Sequence, residues 1–313
     1  MSAKAGTVDV VVPTHNRPDL LQGCLDSLGR QTLRHRVVVV EDGPGSAAEV
    51  AARHPEASVV RLDPSRGFAS AVNAGVRAGE GALVVFLNDD VTAEPDFLER
   101  ITEPFADPTV GMVAPLLLRP DGTIDSLGLE ADPTLAVFPR LWGKAPEAAG
   151  ASGGDAVLGP AGAGGAYRRR ALEAIDGLDE RLVSYNEDAD LALRLRAAGW
   201  RCAVVADARA VHLGSASFGR RSSAQLYRLG FSRAFMLRKY RVFGDPGRAA
   251  RALLSEAGSV AFQLARNRDV SGLRGRIAGW RSGRAELPFP AQALNRSITT
   301  REGFARRRSF QDA

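Results

Sequence analysis

The sequence predicts an α/β fold: a Rossmann-like, mostly parallel central sheet flanked by helices, with a helical C-terminal extension. Short Val- and Leu-rich runs alternate with amphipathic stretches, the runs are apolar on both faces, and each ends in a polar cluster. Strands apolar on both sides need cover on both sides, which crossover helices supply.

Val8 to Pro13 is a β-branched run closed by a proline, and Asp19 to Leu28 follows with Leu20, Leu21, Cys24, Leu25 and Leu28 at helical spacing. Val37 to Val40, Val59 to Leu62 and Ala82 to Leu87 repeat the strand pattern. Residues 119–165 interrupt the alternation with Gly, Pro and Ala, a hairpin around Pro120-Asp121-Gly122, and the glycine-rich loop Gly159 to Gly165. Arg169 to Ile175 and Asp188 to Ala198 read as helices, the second stopped by Gly199, and Trp200 to Ala206 reads as a strand. From about Ser222 the chain turns to helices rich in Arg and Ala, broken at Gly244 to Gly247, with a loose tail expected after Ala285. A boundary is placed near residue 218, giving a domain over 1–218 and an extension over 219–313.

Composition bounds the function. In 313 residues, 45% are apolar and 25% charged, which describes a globular chain with room for a large core. No apolar run approaches the roughly 18 residues that span a bilayer, and residues 1–7 lack a signal-peptide core, so the expected compartment is the cytosol. Cys24 and Cys202 stand far apart without metal-ligand spacing and are read as ordinary buried thiols. The net charge of +5 conceals an asymmetry: residues 1–215 carry 21 Lys+Arg against 30 Asp+Glu, and residues 216–313 carry 20 against 6. The basic third attracts phosphate groups.

In open sheets of this class, ligands bind beyond the carboxyl ends of the strands. That rule selects Pro13-Thr14-His15-Asn16-Arg17, Glu41-Asp42-Gly43 and Asn88-Asp89-Asp90. Carboxylates at a strand end suit a hard divalent cation such as Mg²⁺ or Mn²⁺, and Asp or Asn there equally suits a turn or a helix cap.

With these clusters in order, the stretches VDVVVPTHNRPDLLQGCLDSL, VVVVEDGPG, RGFASAVNAGVRAGEGALVVFLNDD, GAGGAYRRRALEAIDGLDERL and NEDADLALRLRAAGW resemble family 2 glycosyltransferases of the GT-A fold, most of all bacterial rhamnosyltransferase-type members. The resemblance covers about residues 8–218. It implies an inverting, metal-dependent transfer from a nucleotide diphosphate sugar, dTDP-rhamnose or a UDP-sugar, to a glycan or polyprenyl-linked acceptor in cell-envelope polysaccharide synthesis. Carried over by residue, it places Thr14 and Asp42 at the nucleobase and ribose, with Pro13, Asn16, Arg17 and Glu41 beside them. Asn88-Asp89-Asp90 matches the metal-binding D-x-D motif, with Asp90 as ligand and Asp89 near ribose or metal; Asn88 departs from the pattern, which weakens a ligand role for it. Arg66, Gly67 and Asn73 match a motif near the donor, and Gly164 lies in a loop on the donor-sugar and acceptor side.

The resemblance also makes Glu187-Asp188 the acidic pair in which Asp188 takes the acceptor proton, and His212 a second metal ligand. A helix N-terminus is expected to keep such a base ionised and weakly basic. The alternative is capping, with Asn186 as cap and the acids complementing the helix dipole.

Between Phe218 and Phe243, arginines interleave with Tyr227, Phe231, Phe235 and Met236 on one helical face. That face either packs inside the protein or rests on anionic lipid at the inner face of the cell membrane. No nucleic-acid-binding signature accompanies the charge, and nothing in the sequence fixes the oligomeric state. A sugar nucleotidyltransferase also uses an α/β sheet and acidic ligands, but the segment after the first strand lacks its glycine-rich signature. A non-catalytic nucleotide- or glycan-binding module is the remaining alternative.

Overall fold

The computed structural model describes residues 7–150, 157–214, 222–295, 298–299, 301–303 and 305–306. The boundary expected near residue 218 lies outside the described residues. The chain forms two compact units, the first comprising Met1–Leu129, Pro139–Val183 and Glu187–Gly214, and the second Glu130–Phe138, Ser184–Asn186 and Ser215–Ala313.

In the first unit, β1 (Val8–Thr14), β2 (His35–Asp42), β3 (Ala57–Leu62) and β4 (Leu83–Leu87) lie parallel in the order β3-β2-β1-β4. They are connected through α1 (Pro18–Leu28), α2 (Ala47–Ala51) and α3 (Phe68–Ala78). Pro18 suits the start of α1 because a first-turn N–H has no helical partner to lose. Leu21, Cys24, Leu25 and Leu28 turn inward onto the fully buried Val10, Val12, Val37 and Val39. Gly75 lets α3 approach the sheet, since a Cβ there would overlap the Val11 side chain.

Beyond β4 the sheet is mixed. It continues through β5 (Val91–Ala93), α4 (Phe97–Thr102), β6 (Val110–Leu118) and β7 (Ile124–Ser126). After β8 (Leu129–Ala131) and β9 (Val137–Pro139), which pair with each other, come β10 (Gly164–Arg168), α5 (Arg169–Glu173), α6 (Glu187–Ala197) and β11 (Arg201–His212). β10 runs antiparallel to β4 and β6, β5 antiparallel to β11, β7 antiparallel to β6, and only β11 runs parallel to β6. Antiparallel neighbours need no covering crossover, so the regular strand-helix rhythm stops where the glycine-rich connections begin.

The second unit carries most of β8 and β9 together with the helices α7 (Ser223–Lys239), α8 (Pro246–Asn267) and α9 (Ser271–Ser282). Ser222 and Asp245 cap α7 and α8 by accepting from the backbone N–H groups of Gln225 and Arg248. α7 and α9 pack backbone against backbone: a Cβ on Gly230 would overlap the Gly272 carbonyl, and one on Gly275 or Gly279 the carbonyl of Tyr227 or Phe231. Of the aromatic face anticipated on α7, Phe235 and Met236 are buried, and Phe231 stacks between Tyr227 and Phe235 at centroid distances of 6.4 and 6.1 Å. The segment after Ala285, read from the sequence as loose, is tied by Leu287 N–H to the Lys239 carbonyl at 3.0 Å and by Asn295 N–H to the Ala131 carbonyl at 2.8 Å. Among the described residues no helix is long and apolar enough to cross a membrane.

Candidate active site

The register of the sheet brings the polar clusters to one end. Thr14 pairs with Glu41 across β1 and β2, Asp42 with Leu62 across β2 and β3, and Val11 with Phe86 across β1 and β4. Pro13 and Thr14 are therefore level with Asn88 and Asp89. His212 pairs with Val91 at the end of β11, and Leu213 N–H donates to the Asp90 carbonyl at 3.0 Å, so His212 arrives beside Asp90.

The Thr14 hydroxyl donates to Asp89 Oδ2 at 2.7 Å, and Arg17 Nη2 meets Asp89 Oδ1 at 2.6 Å. Burial nevertheless raises the Asp89 carboxyl to about 6, outweighing Thr14 and Arg17. His212 Nε2 lies 3.4 Å from Asp90 Oδ1, and its Nδ1 lies 2.9 Å from Asp125 Oδ2. Burial would lower His212, but the two carboxylates overcome it and raise the imidazole to about 9. Burial likewise opposes ionisation of Asp90, and the facing His212 outweighs it, holding that carboxyl below its ordinary value. Asp125, in the short β7, is a site residue that sequence reasoning missed, because one acid in a three-residue strand leaves no motif.

The glycine-rich loop ties this strand end to the start of α6. Asn88 N–H donates to the Ala163 carbonyl at 3.0 Å, while Gly162 N–H donates to Asp188 Oδ2 at 2.9 Å. Gly164 opens β10 opposite Leu87, the last residue of β4. Asp188 Oδ1 accepts a further bond from Ala189 N–H at 2.7 Å. The helix terminus is expected to keep the base Asp188 ionised and weakly basic, and burial works against it. Burial raises the Asp188 carboxyl, against the bonds from Gly162 and Ala189, and raises Glu187 well above its ordinary value with the Asp188 charge adding to it. In a desolvated setting the helix terminus is outweighed, and the base becomes stronger for it. Asn186 has positive φ and donates to Ser232 through Nδ2 at 2.9 Å.

Other predicted residues are engaged in holding the fold around the site. Asp42 accepts from Ser65 Oγ at 2.8 Å, Arg66 N–H at 2.6 Å and Gly67 N–H at 2.8 Å, filling both carboxylate oxygens. Gly67 is required there: its φ is +89° and a Cβ would overlap Val183. Glu41 accepts from Ala47 N–H at 2.8 Å and pairs with Arg61 at 2.6 Å. Asn73 clips the 178–180 turn, accepting from Leu178 N–H at 2.9 Å and donating to the Leu178 carbonyl at 2.9 Å and to Glu180. The side chains of Asn16 and Arg66 are exposed.

The strand-end cluster carries several atoms with unmet hydrogen-bonding capacity, as do His35 Nε2, Glu56 Oε1, Ser126 Oγ and Arg194 Nη2 elsewhere among the described residues. Among the described residues, Arg17 Nε and Nη1, Asn88 Oδ1, Asp90 Oδ1 and Glu187 Oε2 are buried without a hydrogen-bond partner. Buried polar atoms are rarely left so, and a group of them marks a place that a ligand completes. Asp90 Oδ1 and His212 Nε2, two unlike donors facing one another, fit a divalent cation. Among the described residues no set of three or more His, Cys, Asp or Glu is arranged to hold a metal. Cys24 and Cys202 are free thiols whose pKa burial raises, Cys202 to about 12, and take no part.

Residues 9–176 match the family model described as glycosyl transferase family 2. A relative named O-antigen biosynthesis protein RfbC from Myxococcus xanthus is 30% identical over 230 residues, 69% of this chain and 18% of that protein. A pre-mycofactocin glycosyltransferase of Mycobacterium tuberculosis is 31% identical over 203 residues, 62% of this chain and 40% of the relative. The chain thus spans well under half the length of these relatives. An N-acetylglucosaminyl-diphospho-decaprenol L-rhamnosyltransferase of Mycobacterium tuberculosis is 26% identical over 251 residues, 69% of this chain and 79% of the relative. Among solved structures, mannosyltransferase PcManGT from Pyrobaculum calidifontis, in complex with GDP-Man and Mn²⁺, superposes with a TM-score of 0.54 at 21% identity, covering 89% of this chain and 76% of that one. GalNAc-T7 with UDP, GalNAc and Mn²⁺ gives a TM-score of 0.62 at 15% identity, over 91% and 56%. These likenesses establish the GT-A fold for the α/β unit.

Proposed function

The chain belongs to glycosyl transferase family 2, and from that premise we propose that it is an inverting, metal-dependent transferase acting in cell-envelope polysaccharide synthesis. It moves a sugar from a nucleotide diphosphate donor to a glycan or polyprenyl-linked acceptor. The observation that carries this reading is the group of buried, unpartnered polar atoms on Arg17, Asn88, Asp90 and Glu187 at the carboxyl end of the sheet. A diphosphate and a cation supply the missing partners.

Asp90 and His212 would hold Mn²⁺ or Mg²⁺, facing each other at 3.4 Å. A cation held there would supply Lewis-acid stabilisation of the leaving diphosphate. Arg17, whose Nε and Nη1 have no partner among the described residues, points its charge at the diphosphate beside Asp89. Thr14 and Asp42 line the nucleobase and ribose side, with Pro13, Asn16, Glu41, Arg66, Gly67, Asn73 and Asp89 around them; the Ser65-Arg66-Gly67 bonds to Asp42 shape that wall. Asp188, held by Gly162 N–H, takes the proton of the acceptor hydroxyl as that oxygen attacks the face of the sugar opposite the departing nucleotide. Glu187 lies next to it, and burial together with the Asp188 charge raises the Glu187 carboxyl well above its ordinary value. Gly164 opens β10 packed against Leu117 and Leu87, so the donor-sugar role assigned to it falls to the loop that leads into it. The basic C-terminal region makes peripheral contact with an anionic membrane at its cytoplasmic face.

The test is a screen of nucleotide diphosphate sugars with Mn²⁺ or Mg²⁺, beginning with dTDP-rhamnose and UDP-sugars. Thermal stabilisation and slow donor hydrolysis are read together, because a ligand of the folded state raises its stability. No response across the panel with metal present sinks the reading. Asp188→Asn is expected to retain the stabilisation while losing transfer; unchanged turnover would remove Asp188 from the role of base.

A further inference from the structure

The second unit holds a helix turned inside out. α8 buries Ala252, Ser255, Ser259 and Gln263, while Leu253 is 59% and Leu254 72% exposed, with Ala257, Ala261 and Leu264 exposed on the same side. At 100° per residue these two sets fall on opposite faces. The inward face is polar for a local reason. Glu256 receives Arg233 Nε at 2.8 Å and Arg276 Nε at 3.0 Å, Arg276 also donates to Gln263 at 3.2 Å, and Ser259 bonds back to the Ser255 carbonyl. Docking by this ionic network leaves the leucines outside.

α9 repeats the pattern. Gly275 and Gly279 face α7, and Leu273, Ile277 and Trp280, spaced four and three apart, are exposed on the other side. An apolar groove of about 530 Å³, lined by Leu237, Phe243, Leu253, Ile277 and Trp280 among others, lies among the helices of this unit. A contiguous apolar face of this kind marks an interaction surface.

The surrounding charge selects what covers it. From Pro246 to Arg284 there are eight arginines and two acids. Both acids are already engaged, Glu256 by Arg233 and Arg276, and Asp269 by Ser223 and Ser271. Arg251, Arg274, Arg281 and Arg284 are exposed. A second copy meeting this face would set one positive rim against another. We propose that the α8–α9 face docks on the surface of an anionic phospholipid bilayer, with leucines, Ile277 and Trp280 in the acyl boundary and arginines among the phosphates. This deepens the peripheral contact in the proposed function, and it moves the surface: the α7 stretch picked out by sequence buries Phe235 and Met236, and the exposed apolar residues belong to α8 and α9.

The experiment is co-sedimentation of the full chain with vesicles of equal parts phosphatidylglycerol and phosphatidylcholine, against pure phosphatidylcholine. The chain is expected to pellet with the anionic vesicles and to be released by salt. Leu253→Ser/Leu254→Ser is expected to weaken binding roughly tenfold or more, with circular dichroism checking the fold. Trp280 emission should shift to the blue on anionic vesicles, a shift that Trp280→Phe removes. A chain left in the supernatant, a double variant that pellets like the parent, or emission unchanged by vesicles would overturn the proposal. So would sedimentation velocity showing a dimer that the same double substitution dissolves. Donor-induced thermal stabilisation, measured without lipid, stays separate: its loss alone counts against the transferase, and loss of vesicle binding alone counts against docking.

Discussion

Metal binding at the Asp90–His212 pair should expel a proton. His212 is raised to about 9 by Asp125 and Asp90 in spite of burial, so at pH 7 about 99% of it carries a proton, against roughly a quarter for an ordinary histidine. To ligate through Nε2 the ring must be neutral, and the lost proton costs about 2.7 kcal/mol at pH 7. Apparent Mn²⁺ affinity should therefore rise about tenfold from pH 7 to pH 8. Asp89, raised to about 6, is already largely ionised in that window and adds little. The assay is calorimetric titration with Mn²⁺ in buffers of different ionisation enthalpy, which counts protons released. About one is expected at pH 7, and His212→Gln should remove both the release and the slope. Release near a quarter of a proton, or the same slope without His212, would refute the assignment. The same shift makes His212 a contributor to stability that is fully present below its unfolded pKa of about 6.5 and lost as pH rises through about 9.

The Glu187 carboxyl is buried and raised, first by desolvation and then by Asp188, so its ionised form destabilises the fold as pH climbs. Glu187→Gln should raise the melting temperature at pH 8 more than at pH 4, by about 1–3 kcal/mol in stability, as calorimetry would show; an equal gain at both pH values contradicts the cause. Asp42→Ala strands the Arg66 and Gly67 N–H groups and the Ser65 hydroxyl, and should cost about 2–4 kcal/mol in urea denaturation, whereas loss of donor binding at full stability would make it a contact residue only. Gly279→Leu drives a side chain into the Phe231 carbonyl and should destabilise the helical unit by about 3 kcal/mol or more. A melting curve unchanged by that substitution would dispose of the close α7–α9 packing.

The parallel strands were legible because Val8 to Pro13, Val37 to Val40 and Ala82 to Leu87 are apolar on both faces, and that pattern belongs to a sheet buried on both sides. The polar clusters after them were legible for the same reason: a strand end is where such a run must stop. The mixed half was not, since β5, β7, β8 and β9 are three residues each and no period can be read from so few. Asp125 shows the limit, for its partner His212 lies 87 residues away and meets it only through the pairing of β6 with β7 and β11.

Local chemistry, then, was settled by the chain itself: which residues could take strand or helix, and that Asp90 and Asp188 were available to a site. Ionisation waited on the fold. A helix terminus favours an ionised Asp188 and the tertiary burial around it disfavours that charge, and desolvation is a property of everything packed nearby. The direction in which α8 turns its leucines was likewise decided in three dimensions, because Arg233 and Arg276 reach Glu256 only once the helices meet, and a buried carboxylate must be paired.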